Sequence, residues 1–165
     1  MPLLLSAVYF FALGVLAHYI GEALPRRWFT ETRFPFRCFR FEREGEIYAA
    51  LGIKRWKNRL PDMSRYMKDM LPKRVDRKAS SAQVENLIRE TCVAEFIHGL
   101  LAVLSFGVCF AWKRKTGLIV AMLGVIGNIP FILIQRYNRP HLLRLRDRLK
   151  IREEKMSVED SDSVL

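Results

Sequence analysis

Three stretches of roughly twenty mostly apolar residues limit what this chain can become. They run from Leu3 to Ala23 (LLLSAVYFFALGVLAHYIGEA), Cys92 to Trp112 (CVAEFIHGLLAVLSFGVCFAW) and Gly117 to Gln135 (GLIVAMLGVIGNIPFILIQ). A helix crosses a bilayer with about 20 such residues, and inside lipid it satisfies its own backbone. The expected fold is mainly α and integral to the membrane, with about three transmembrane helices. The first stretch has no basic segment before it and no clear small-residue cleavage site, so it reads as a retained span.

Between the spans the chain is strongly basic. Its 165 residues carry a formal net charge of +11. In a soluble protein that surplus would suggest nucleic acid, but here apolar and basic residues are segregated into blocks. Residues 22–90 hold 17 of the 28 Lys and Arg, the part after Gln135 holds eight, and the turn WKRKT holds three. Basic loops stay in the cytoplasm. The long loop and the C-terminus are therefore expected there, with the N-terminus outside, in a multi-pass protein of the cell membrane. Residues 1–152 read as one membrane-embedded domain and 153–165 (EEKMSVEDSDSVL) as an acidic tail without fixed structure. Three scattered cysteines, Cys38, Cys92 and Cys109, support neither a disulfide framework nor a zinc site.

The loop RWFTETRFPFRCFRFEREGEIYAALGIKRWKNRLPDM alternates aromatics with arginines, which suits a cytoplasmic segment in the headgroup layer. Residues 44–55 could form a short interfacial helix with Ile47, Leu51 and Ile53 partly buried. AQVENLIR, residues 82–89, reads as a helix that leads into the second span, capped by Ser80 or Ser81.

Ionisable groups inside a span are costly and face protein or water. Glu90, Glu95 and His98 share a broad helical face, and Glu95 lies three residues before His98, within reach. A carboxylate beside an imidazole fixes its tautomer, as a general base requires. The same spacing is half of a di-metal site, but no second copy exists and no metal is expected. Asn128 lies two turns before QRYNRP, where the third span could break at Asn128 and Pro130 or end at Pro140. Under the expected topology three polar groups meet at the cytoplasmic leaflet: Glu90, Glu95 and His98; Gln135 to Arg139; and KRWKNRLPD, from Lys54 to Asp62.

ETCVAEFIH and GNIPFILIQRYNRPHLLRL, together with LPRRWF, FRFEREGEIY, KRWKNRLPD and VENLIRE, closely resemble the glycosyl-4,4'-diaponeurosporenoate acyltransferases of staphyloxanthin-type carotenoid biosynthesis. The likeness covers about residues 20–150. It implies transfer of a fatty acyl group onto a sugar hydroxyl of a glycosylated lipid, a glycosyl carotenoid in that family.

Acyl transfer needs an activated hydroxyl and a stabilised oxyanion. His98, oriented by Glu95, is the candidate base, and Asn128 or Asn138 the candidate oxyanion donor. Arg136 and Arg139, with Lys54, Arg55, Lys57 and Arg59, are expected to hold anionic parts of the donor. Trp56 is expected to stack on a sugar or an adenine. Glu90, Gln135, Tyr137 and Asp62 complete the expected substrate-binding set. His18 and His141 are weaker candidates. No cofactor is implied beyond an acyl donor such as acyl-CoA as co-substrate. The partners are membrane lipid, a glycosylated acceptor and the donor. Three spans enclose little space, which leaves room for a homo-oligomer. The competing readings are a non-enzymatic scaffold that binds anionic lipid through its basic face, and a metal enzyme using Glu90, Glu95 and His98.

Overall fold

The computed structural model describes residues 2–57, 79–112 and 114–162. The described residues form five α-helices: α1 (Pro2–Ala23), α2 (Glu46–Ala50), α3 (Ile53–Trp56), α4 (Ser81–Leu104) and α5 (Arg114–Asp162). Short 3-10 turns lie at Arg26–Trp28, Arg40–Gly45 and Ser105–Phe110. Among the described residues there is no strand. Three helices, α1, α4 with its 3-10 extension, and α5, are long and apolar enough to cross a membrane.

Local sequence explains the helix ends. Pro2 is the first residue of α1, where its missing N–H costs nothing. Pro25 stands just past the end of α1 in extended backbone. Ser80 opens α4: its hydroxyl accepts from the Gln83 N–H, while the Gln83 side chain accepts from the Ser80 N–H, a reciprocal cap. The helix expected over residues 82–89 is therefore continuous with the second span.

The third span does not stop where its sequence suggests. Pro130 and Pro140 both lie inside α5, which runs unbroken for 49 residues, roughly 74 Å at 1.5 Å per residue. A proline removes one backbone donor and can kink a helix, but packing against α4 carries α5 past both. Glu153 to Asp162, expected as an unstructured tail, are helical too. At their start Glu153 accepts from the Ser81 backbone N–H at 2.8 Å and from its hydroxyl at 2.5 Å. That contact ties the C-terminal part of α5 to the start of α4.

The single interfacial helix expected over residues 44–55 is broken into pieces. Arg43, Glu44 and Gly45 have left-handed backbone, and so does Gly52 at φ 67°. These kinks separate α2 from its preceding turn and from α3. Ile53 is fully buried as a result, while Ile47 and Leu51 are exposed rather than partly buried.

The core lies where this segment meets the spans. Phe29 and Phe36 pack on Cys92 and Val93 of α4. Tyr48 and Ile53 pack on Ile134 and Tyr137 of α5. At the opposite end, Tyr9 donates to the Leu104 carbonyl at 2.6 Å, and the Trp112 indole donates to Ser6 at 2.6 Å, holding α1 to the hairpin.

Gly124 lets α5 approach that hairpin closely. A Cβ there would lie 2.5 Å from the Ser105 hydroxyl oxygen and 2.8 Å from its Cβ. Gly124→Ala is expected to destabilise the protein by about 1–3 kcal/mol, the usual cost of overpacking. Denaturation in detergent micelles, read against the parent chain, measures it.

Candidate active site

The polar residues of the two long helices form layers, and the deepest is a histidine–asparagine pair. His98 of α4 is half-buried and stacks on Phe131 of α5, with centroids 4.6 Å apart and planes 9° apart. Its Nδ1 lies 2.9 Å from Asn128 Oδ1. The asparagine amide is held by its other end, because Nδ2 donates to the Gly124 carbonyl at 2.9 Å. Oδ1 therefore faces the imidazole and can only accept. The hydrogen belongs on Nδ1, and in the neutral ring Nε2 carries the lone pair.

One turn toward the basic loop lies a buried ion cluster. Glu95 pairs with Arg136 through one oxygen and with Arg139 through the other, the latter at 2.6 Å. Arg136 also donates to Glu42 at 2.6 Å, and Tyr48 donates to Glu42 as well. Arg139 is 1% exposed. Its remaining donors reach the Thr91 hydroxyl at 2.9 Å, the Thr91 carbonyl at 3.1 Å and the Phe36 carbonyl at 2.6 Å. Arg136 takes the neighbouring carbonyls of Pro35, at 3.1 Å, and Arg37, at 3.2 Å. Two arginines of one helix thus grip three successive carbonyls of the interfacial segment. Two carboxylates against two guanidiniums make the cluster neutral, which burial of charge requires.

Glu42 and Tyr48 feel this environment strongly. Burial raises the Glu42 carboxyl, but hydrogen bonds from Arg136, Tyr48 and the Phe39 N–H outweigh it and hold the group below its ordinary value. Burial, with the Glu42 carboxylate as the next cause, pushes the Tyr48 phenol up to about 12.

The next layer is at the surface. Lys57 donates to Asn138 Oδ1 at 3.0 Å and stands 4.9 Å from the Tyr137 ring centre. Burial and then the neighbouring Lys54 lower the Lys57 amine below its ordinary value. Trp56 is half-buried and donates to the Leu51 carbonyl at 3.2 Å, while Lys54 and Arg55 are exposed. Further out, Glu90 pairs with Arg26 at 2.6 Å. Arg26 also bonds the Gly21 and Leu24 carbonyls at the end of α1.

Several expected partnerships differ from those observed. Glu95 and His98 are neighbours in sequence spacing, but both Glu95 oxygens are engaged by guanidiniums, and Asn128 takes the place beside the imidazole. Arg136 and Arg139 point into protein rather than toward a donor. Asn138 is ten residues from Asn128, about 15 Å along α5, so the two amides occupy different layers. Gln135 is buried. Glu90, Glu95 and His98 turn to different partners, and among the described residues no three His, Cys, Asp or Glu gather as a metal site would need. Asp62 and Arg59 lie outside the described residues. His141 Nδ1 bonds the Tyr137 carbonyl oxygen at 2.9 Å, and His18 lies against Tyr19 within α1. Glu42, Tyr48, Thr91 and Phe131 take part without having been singled out. Only Glu42, an acid set among basic and aromatic residues, gave any signal in the sequence.

A family model described as Glycosyl-4,4'-diaponeurosporenoate acyltransferase matches residues 25–148, which include every layer just described. The chain belongs to that family. As a glycosyl-4,4'-diaponeurosporenoate acyltransferase family member it is an enzyme of the acyltransferase type, and its three long apolar helices make it a multi-pass membrane protein. Among its relatives are the proteins named glycosyl-4,4'-diaponeurosporenoate acyltransferase from Staphylococcus aureus strains bovine RF122 / ET3-1 and N315. Each is 30% identical over 139 residues, covering 82% of this chain and 82% of the relative. No solved structure matches the chain significantly.

Proposed function

We propose that this protein moves a fatty acyl group onto a sugar hydroxyl of a glycosylated lipid, with a glycosyl carotenoid as the acceptor class that the family's name suggests. The observation that carries this reading is the His98–Asn128 pair. An imidazole whose Nδ1 hydrogen is committed to a fixed amide oxygen is the tautomer whose basic nitrogen is Nε2. The acceptor hydroxyl loses its proton to Nε2 as its oxygen attacks the acyl carbonyl. General-base help of this kind contributes about 10²–10⁴ in rate.

The other residues take roles according to their layer. Asn128 positions the base. Glu95, Glu42, Arg136 and Arg139 hold the interfacial segment over the helices and so fix the height of the site. Lys57, Asn138, Lys54 and Trp56 meet the polar end of the donor, with the buried Tyr137 ring beneath Lys57. The basic loop and the C-terminal half of α5 face the cytoplasm, where a soluble donor arrives, while the apolar acceptor stays among the spans of a single membrane domain.

Lipid mass spectrometry of a host with and without the gene tests the reading. An acylated glycolipid present only with the gene is the expected result. An unchanged lipid profile would favour the scaffold that binds anionic lipid and performs no chemistry.

A further inference from the structure

Beyond the active-site layers, α5 presents a surface that the acyl-transfer chemistry does not use. At 100° per residue, Arg144, Arg148, Arg152 and Lys155 fall within an arc of about 80°. All four are exposed. The opposite side of the helix faces α4, where Arg146 pairs with Glu85 at 2.9 Å and Glu153 bonds Ser81. Ile151 and Val158 lie at the edge of the stripe and are 55% and 59% exposed. A shallow hollow runs between them, lined also by Glu154, Lys155 and Glu159. Arg144 has a surface partner in Glu44 at 3.0 Å. Glu159, one turn past Lys155, and Glu154, at the far side of the hollow, are the acids beside the stripe.

With the edge of the span taken at Ile134, the stripe stands clear of the bilayer. Ile134 is the last apolar residue before QRYNRP, and Arg144 lies about 15 Å further along the helix, Val158 about 36 Å. A headgroup layer is only about 5–8 Å deep. The Glu85–Arg146 and Glu153–Ser81 contacts keep α5 beside α4 as far as Glu153, so the two helices extend together past Ile134. Basic side chains beside exposed aliphatics, on the side of α5 away from α4, complement an acidic surface with an apolar centre.

We infer that this stripe docks a soluble acidic carrier protein that brings the acyl chain as a thioester. The inference rests on the acyl-transfer reading and adds the class of donor. In the reaction the acceptor oxygen forms a C–O bond with the acyl carbon and the C–S bond to the carrier breaks. The hydroxyl proton passes to His98 and then to the departing thiolate. Arg148, Arg152 and Lys155 touch none of these atoms; they raise the local concentration of the donor.

The full chain in neutral-lipid nanodiscs, titrated with a labelled acyl carrier protein bearing a fatty acyl thioester, tests this. The variant R148E/R152E/K155E is expected to bind at least tenfold more weakly. It should transfer more slowly from the carrier at subsaturating concentration, and at the parent rate from acyl-CoA. Equal binding by parent and variant overturns the proposal. So does carrier binding that vanishes when the nanodiscs contain phosphatidylglycerol, since the leaflet would then be the occupant of the stripe. Charge-dependent binding with no transfer from either donor would support the docking surface and sink the acyl-transfer reading.

Discussion

Arg139→Met is expected to release the interfacial segment from the helix pair and to cost about 3–5 kcal/mol, the usual penalty for breaking one side of a buried ion pair. Arg139 is 1% exposed and holds Glu95, both polar groups of Thr91 and the Phe36 carbonyl. Methionine fills much of the volume and replaces none of these bonds. Glu95 keeps only Arg136, and a buried carboxylate short of partners is the costly remainder. Denaturation in detergent gives the magnitude, and faster proteolysis within residues 26–57 locates the damage. Glu95→Gln in the Arg139→Met background should cost less than the two single changes added together, because each removes a reason for the other. A strictly additive result would show that the cluster does not act as a unit. Acid should loosen the same seam. The Glu42 carboxyl is held below its ordinary value of 4.5, so its contribution is complete above that value and is lost as pH falls through the depressed one.

His98→Ala should reduce acyl transfer by about 10²–10⁴, with the protein still inserted and abundant. Glu95 and both arginines keep their partners in that variant, so a large loss of stability is not expected. Asn128→Leu should do less harm to the rate. It leaves the base in place and frees Nδ1 from its acceptor, so the pH profile of transfer should shift, which a merely structural role for Asn128 would not produce. Measured side by side in membranes, the two variants separate chemistry from positioning. Full activity in His98→Ala would remove the base from the proposal.

The spans were legible because length and apolarity alone decide them, and Leu3 to Ala23 nearly coincides with α1. The cap at Ser80 was legible for a similar reason, since it is settled within four residues. What the sequence concealed is whatever depends on contact between distant segments. Pro130 and Pro140 look like stops, yet α5 passes through both because α4 runs beside it. Glu95 and His98 look like a pair because they stand three positions apart on one helix. Across the helix pair, two guanidiniums offer Glu95 far more than a neutral imidazole can, and in a low-dielectric setting that difference decides the pairing. Arg136 and Arg139 looked like a cradle for phosphate because basic residues at a membrane edge usually face water. Here the carbonyls of residues 35–37 arrive from about a hundred residues earlier in the chain to claim them.

The neutrality of the cluster at Glu42, Glu95, Arg136 and Arg139 has a consequence at long range. Four full charges are locked away in a sum of zero, so none of the +11 surplus is spent there. All of it acts on the surroundings, as a field that draws polyanions toward the protein's basic surface and collapses over about 8 Å at physiological ionic strength.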